Sequence, residues 1–446
     1  MKNIKVEEYQ VDSKKLSAFN KKYNRDSKNA LLRHALNKNA ISDVVYDAKN
    51  EANTNYDFSI EVKTLPACNQ KQSGRCWIFA ACNVLRESLA KQINIENIEI
   101  SQNYIAFYDK LEKANFLLTS IADLVCEKPD SRVLMHLLAN GVSDGGQWDM
   151  FVNIVKKYGI VPKNNMKETK QSSATYDSNV LINSLCRQFA AEVQRYSDPF
   201  HISDVKNDYL QKIYNLLCNS FGVPPTKFDF EYTDKDNKYH LEEGYTPKSF
   251  FDKYVGSSID EFVSIINSPT QDKPYNKIFT IDYLNNVVEG KPITHLNVTM
   301  ERMKELIISQ LKNNEVVWFG SDVSNYRDRV AGLWDDLSYD YVSAFDFDIK
   351  FDKADMLDYH ESCMNHAMVI TGVNIKGGQP NRWKIENSWG QDAGNKGYYM
   401  MSASWFDRYV YQAVINKKYL NDAELKALKG KLIVLDPWDP MGTLAD

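Results

Sequence analysis

Apolar positions 78, 81, 85 and 89 recur at helical spacing and predict a helix over 77–93. Gly74 supplies the turn leading in, which puts Cys76 at or just before the helix N-terminus. The same periodicity predicts helices over 150–158, 180–218 and 300–312, and helical pieces such as 27–39 within an otherwise polar stretch, 1–65. Residues 141–148 read as a loop, 167–179 as a linker or surface loop, and 225–290 as aromatic and charged with turns at Thr246-Pro247 and 272–274. Later the pattern shortens. Strands are predicted at 315–320, in the β-branched run 366–373, in the alternating run 382–387 and at 397–401. Helices early and strands late indicate an α+β fold rather than a doubly wound sheet.

Composition narrows the function classes. The 446 residues suffice for two or three domain-sized units. Hydrophobic residues at 43%, charged residues at 25% and a net charge of -5 describe an ordinary globular chain, not a basic nucleic-acid binder. No apolar run approaches a membrane span, and the charged N-terminus lacks the apolar core of a signal peptide. The seven cysteines are odd in number and scattered, which argues against a disulfide framework and for a reducing cytoplasm.

Cys76 is either a small core residue or a thiol placed to react. A helix N-terminus favours the thiolate, and a nearby imidazolium favours it further. Of the seven histidines, His366 stands apart because it opens a predicted strand after a polar turn. Asn387 follows another strand, where its side-chain oxygen would accept an imidazole N–H and fix the tautomer. Trp389 would cover that bond or serve as an ordinary core residue. His360, Cys363 and His366 offer metal-ligand chemistry, but there is no clear fourth ligand, and a strand starting at His366 hinders convergence. Gly145 and Gly146 allow close backbone approach, or form a plain turn.

These segments together resemble a papain-type cysteine peptidase: Gln70, then Ser73-Gly74-Arg75-Cys76-Trp77, His366-Ala367 and Asn387-Ser388-Trp389-Gly390. Two departures, a serine at 73 and the long Cys76-to-His366 separation, are similar to the bleomycin hydrolase and aminopeptidase C branch. The motifs GRCWIFA, DGGQW, NHAMVITGV, IENSWG, GYYMMSASWFDRYV and WDPMG carry that resemblance across most of the chain.

The resemblance implies a papain-like fold. Its helical half spans 1–165 and its β-rich half spans 301–446, with a large, mainly helical insertion for oligomerisation at 166–300 and a C-terminal arm at 434–446. It implies Cys76 as nucleophile, His366 as general base and acid, Asn387 orienting His366, and Gln70 with the Cys76 N–H as oxyanion hole. Gly145 and Gly146 would pair with extended substrate. The arm would lie in the cleft, with a carboxylate at Asp446 meeting the substrate's free ammonium. No cofactor or metal is implied. The expected activity is a cytosolic cysteine aminopeptidase on peptides with free N-termini, assembled as a homohexamer. A cysteine endopeptidase is the alternative, and nucleic-acid binding a distant one.

Overall fold

The computed structural model describes residues 9–47, 49, 55–195, 199–350 and 352–445. They form two units. The smaller joins the described N-terminal residues through 49 with Asp336–Lys350. Its helices are α1 (Ser13–Tyr23), α2 (Ser27–Leu36) and α3 (Ile41–Val45). Asp12 and Asp26 cap α1 and α2 by accepting backbone N–H groups. Tyr46 and Tyr339 pair as a bridge and pack edge to face.

The larger unit carries the remaining described residues. Its first helix is α4 (Cys76–Gln92), followed by α5 (Gln102–Asp123), α6 (Arg132–Asn140) and α7 (Trp148–Tyr158). Helix α4 is buried on nearly every side, so apolar and small residues surround it rather than forming one stripe. Trp318 Nε1 donates to the Trp77 carbonyl at 3.2 Å and ties α4 to the sheet.

The strands are β1 (Ile60–Glu61), the hairpin β2 (Phe228–Thr233) and β3 (Tyr239–Tyr245), then β4 (Phe262–Ile266), β5 (Ile278–Ile281), β6 (His295–Asn297), β7 (Val317–Ser321), β8 (Arg327–Asp328), β9 (Leu333–Trp334), β10 (His366–Lys376), β11 (Gln379–Glu386), β12 (Tyr398–Ser402), β13 (Val410–Asn416) and β14 (Leu432–Leu435). The main sheet runs β14-β5-β6-β4-β13-β7-β10-β11-β12-β9-β8, with β1 on β10. Its centre, β13 to β12, is antiparallel. The first eight residues of β10 are all buried, which explains its continuous apolar run.

Segment 166–300 is divided. Helices α8 (Tyr176–Val193) and α9 (Pro199–Phe221) are as expected, but β4, β5 and β6 from the same segment extend the main sheet. Short apolar runs such as Phe262–Ile266 carry no period that separates strand from helix. Among the described residues no helix is long and apolar enough to cross a membrane, and no disulfide joins the cysteines.

Candidate active site

Cys76 is the first residue of α4 and is 4% exposed. The Ala367 N–H donates to its Sγ at 3.4 Å, so β10 meets α4 one residue after His366. Burial pushes the Cys76 thiol up to about 11, while the N–H groups of Ala367 and Trp77 favour the thiolate.

His366 opens β10 and is buried. Its Nε2 lies 2.9 Å from Asn387 Oδ1. The Ser388 N–H also donates to that Oδ1, at 2.8 Å, which identifies it as the amide oxygen. Nε2 therefore carries a proton, and Nδ1 keeps its lone pair. Burial pushes the His366 imidazolium down to about 4; the Asn387 bond opposes this and Arg329 adds to it. The half-buried Trp389 ring lies 5.0 Å from the imidazole ring, centroid to centroid, and the Arg329 guanidinium lies 4.8 Å from the Trp389 ring centroid.

Gln70 is bound to the same segment. Its N–H donates to the Ser388 carbonyl at 2.8 Å, and its Oε1 accepts from the Ser388 hydroxyl at 2.5 Å. Its Nε2 donates to the Ser73 carbonyl at 2.6 Å, leaving a second hydrogen on that nitrogen. The structure thus brings Gln70, Cys76, His366 and Asn387 into one connected constellation.

Gly145 and Gly146 lie beside it. A Cβ at Gly146 would sit 2.4 Å from Trp77 Cε2, and one at Gly145 would sit 2.4 Å from the Leu444 carbonyl oxygen. Glycine is required at both positions by close packing. The Gly146 N–H donates to the Leu444 carbonyl at 2.9 Å. The arm reaches this point as a short 3-10 turn, Pro440–Ala445, with Pro440 at its first position, where a missing N–H costs nothing. The Ser143 hydroxyl donates to the Ala445 carbonyl at 2.6 Å and the Thr443 hydroxyl to the Met364 carbonyl at 2.9 Å. Met441 is fully buried, and Arg132 stacks 3.5 Å from the Trp438 ring centroid. Asp446 lies outside the described residues.

Sequence reasoning missed the residues that hold these parts. Lys113 donates to the Gly145 carbonyl and pairs with Asp109 at 2.9 Å. Asp144 accepts the Gly74 N–H at 2.7 Å, and its carbonyl accepts Trp77 Nε1 at 2.7 Å. Against the burial that would raise it, Lys110, Thr175 and Asn179 hold the Asp144 carboxyl well below the usual range. Lys110 and Lys113 belong to the charged run 109–113, which reads in the sequence like any solvated helix face and gave no signal. Ser388 had none beyond its place between Asn387 and Trp389.

With this geometry in hand, the comparisons are specific. The pattern of the peptidase C1-like family matches residues 10–442. The chain is 45% identical to Aminopeptidase C of Lactobacillus delbrueckii subsp. lactis over 92% of this chain and 93% of that one. It is 36% identical to Bleomycin hydrolase of Mus musculus over 98% and 99%. The crystal structure of PepW from Lactobacillus rhamnosis superposes with a TM-score of 0.95 at 43% identity, covering 97% of this chain and 99% of that one.

Proposed function

We infer that this chain, which belongs to the peptidase C1-like family, is a cysteine aminopeptidase that removes N-terminal residues from peptides. The observation that carries the specificity is the arm: its Leu444 carbonyl occupies the Gly146 N–H, a donor suited to an extended substrate, beside Cys76. A substrate reaching Cys76 then has little room upstream of the scissile bond, which favours chains that begin there.

Cys76 is the nucleophile and His366 its base. Burial opposes each charge taken singly. Transfer of one proton from Sγ to Nδ1 leaves the pair neutral overall, with the Ala367 and Trp77 N–H groups on the thiolate and Asn387 on the imidazolium. The thiolate adds to the scissile carbonyl, and the oxyanion receives the free Gln70 Nε2 hydrogen and the Cys76 N–H. The C–N bond breaks as His366 protonates the leaving amine, giving a thioester that water hydrolyses with His366 again as base.

The assay is a time course on an unblocked peptide read by mass spectrometry. Stepwise loss of single N-terminal residues is expected; internal cuts from the outset would favour an endopeptidase.

A cytoplasmic setting is supported by the seven scattered cysteines, all free thiols among the described residues. Self-association is supported by α1 and α2, which bury none of their residues and leave Leu16, Phe19 and Leu31 at 50%, 59% and 71% exposure; a homohexamer is the assembly that the family resemblance implies. Light scattering should give six times the 51.3 kDa chain.

A further inference from the structure

The arm is held by one buried cation that the catalytic constellation does not use. Lys273, 4% exposed, pairs with Asp439 Oδ2 at 2.7 Å and with the exposed Asp272 at 2.8 Å. The other Asp439 oxygen, Oδ1, accepts the Met441 N–H at 2.9 Å, and the Asp439 carbonyl accepts the Gly442 N–H at 2.9 Å. One carboxylate therefore both starts the 3-10 turn of the arm and meets Lys273.

The lysine itself stands on a rigid base. Its carbonyl accepts Asn297 Nδ2 at 2.6 Å, and Asn297, on β6, is fully buried. Asn297 also bonds Ser268 in both directions, donating at 2.8 Å and accepting at 3.0 Å. The loop between β4 and β5 is thereby riveted to the sheet.

Geometry links this point to the cleft. Leu444 follows Asp439 by five residues, about 10 Å at the ~2 Å rise of a 3-10 turn. A slip of one residue at Asp439 would shift the Leu444 carbonyl by roughly 2 Å, enough to break its 2.9 Å bond to Gly146. We propose that Lys273 is a specificity-determining residue: its ion pair with Asp439 sets the register of the arm in the cleft, and so decides whether peptides with blocked amino termini can enter. This rests on the reading of the arm as a barrier given above.

The test compares one fluorogenic peptide in free-amino and N-acetylated form on four full-length proteins and a deletion of 442–446. Asp439→Asn keeps the Met441 acceptor and removes the charge; Lys273→Met keeps the stem and removes the charge; Lys273→Arg keeps the charge; wild type is the fourth. For Asp439→Asn and Lys273→Met, kcat/KM on the acetylated peptide should rise while that on the free-amino peptide falls. The ratio should shift at least tenfold toward that of the deletion, and Lys273→Arg should retain the wild-type ratio. A merely structural role would lower both rates together and overturn the proposal. So would an unchanged ratio in both neutral variants when the deletion changes it, with the arm reading left standing. An unchanged ratio in the deletion itself would overturn the arm reading and the proposal with it. If Lys273→Met does not fold, Asp439→Asn is decisive.

Discussion

The backbone N–H of Gly146 donates to the carbonyl of Leu444 at 2.9 Å, so the arm takes a backbone donor on the glycine that packs against Trp77, the neighbour of Cys76. Deleting 442–446 removes that occupant. The preference for a free-amino over an N-acetylated peptide should fall at least about tenfold, the equivalent of about 1.4 kcal/mol. Paired rate measurements on the two peptides check it.

Cys76 is small and buried, and replacing it changes little volume. Cys76→Ala and Cys76→Ser should fold with nearly unchanged melting temperature yet lose turnover, because no thiolate can form. Residual activity in a clean alanine preparation would remove Cys76 from the mechanism.

Asn387 holds His366 rather than substrate. Asn387→Ala should lower kcat by at least about tenfold with a smaller effect on KM, since it loosens the proton-transfer group. Steady-state kinetics separate the two, and a change confined to KM would contradict this role.

His295 gives a stability test. Ser264 Oγ accepts from Gln412 and lies 2.8 Å from His295 Nδ1, leaving the buried Nε2 without a partner. Burial lowers its pKa from 6.5 to about 4. The unfolded chain therefore binds a proton between these values that the fold rejects. Stability is full above about 6.5 and is lost as pH falls towards 4, by about 3 kcal/mol for this group. His366 acts in the same sense, and Glu386, raised to about 7 by burial, in the opposite one. The difference between wild type and His295→Gln in denaturant titrations across pH 4 to 7 isolates His295. Parallel curves would refute the assignment.

The site was readable where chemistry and local structure coincide in a few residues. Gly74 before an apolar run located the start of α4 and thus Cys76; a β-branched run located β10 and thus His366. The supports were not readable. Lys113 and Lys110 sit on α5, Ser388 is one residue in a turn, and Glu386 was one more position in the alternating run 382–387. In the fold, Glu386 is fully buried and accepts from Arg86 and Asn83 of α4 at 2.7 Å each. Nor did periodicity assign β4, β5 and β6 to the main sheet, because short buried runs look alike whether helix or strand.

The sequence by itself determined the local elements, the residue types able to attack, transfer a proton and orient, and the family they resemble. These depend on near neighbours, through helix period, glycine turns and β-branched runs. Tertiary structure alone decided that Ala367 reaches Cys76, that Ser388 grips Gln70, and that Lys273 holds Asp439 while Leu444 rests on Gly146. Each of these joins residues far apart along the chain. Such contacts form only where packing brings separate segments together and burial makes an unpaired polar group costly.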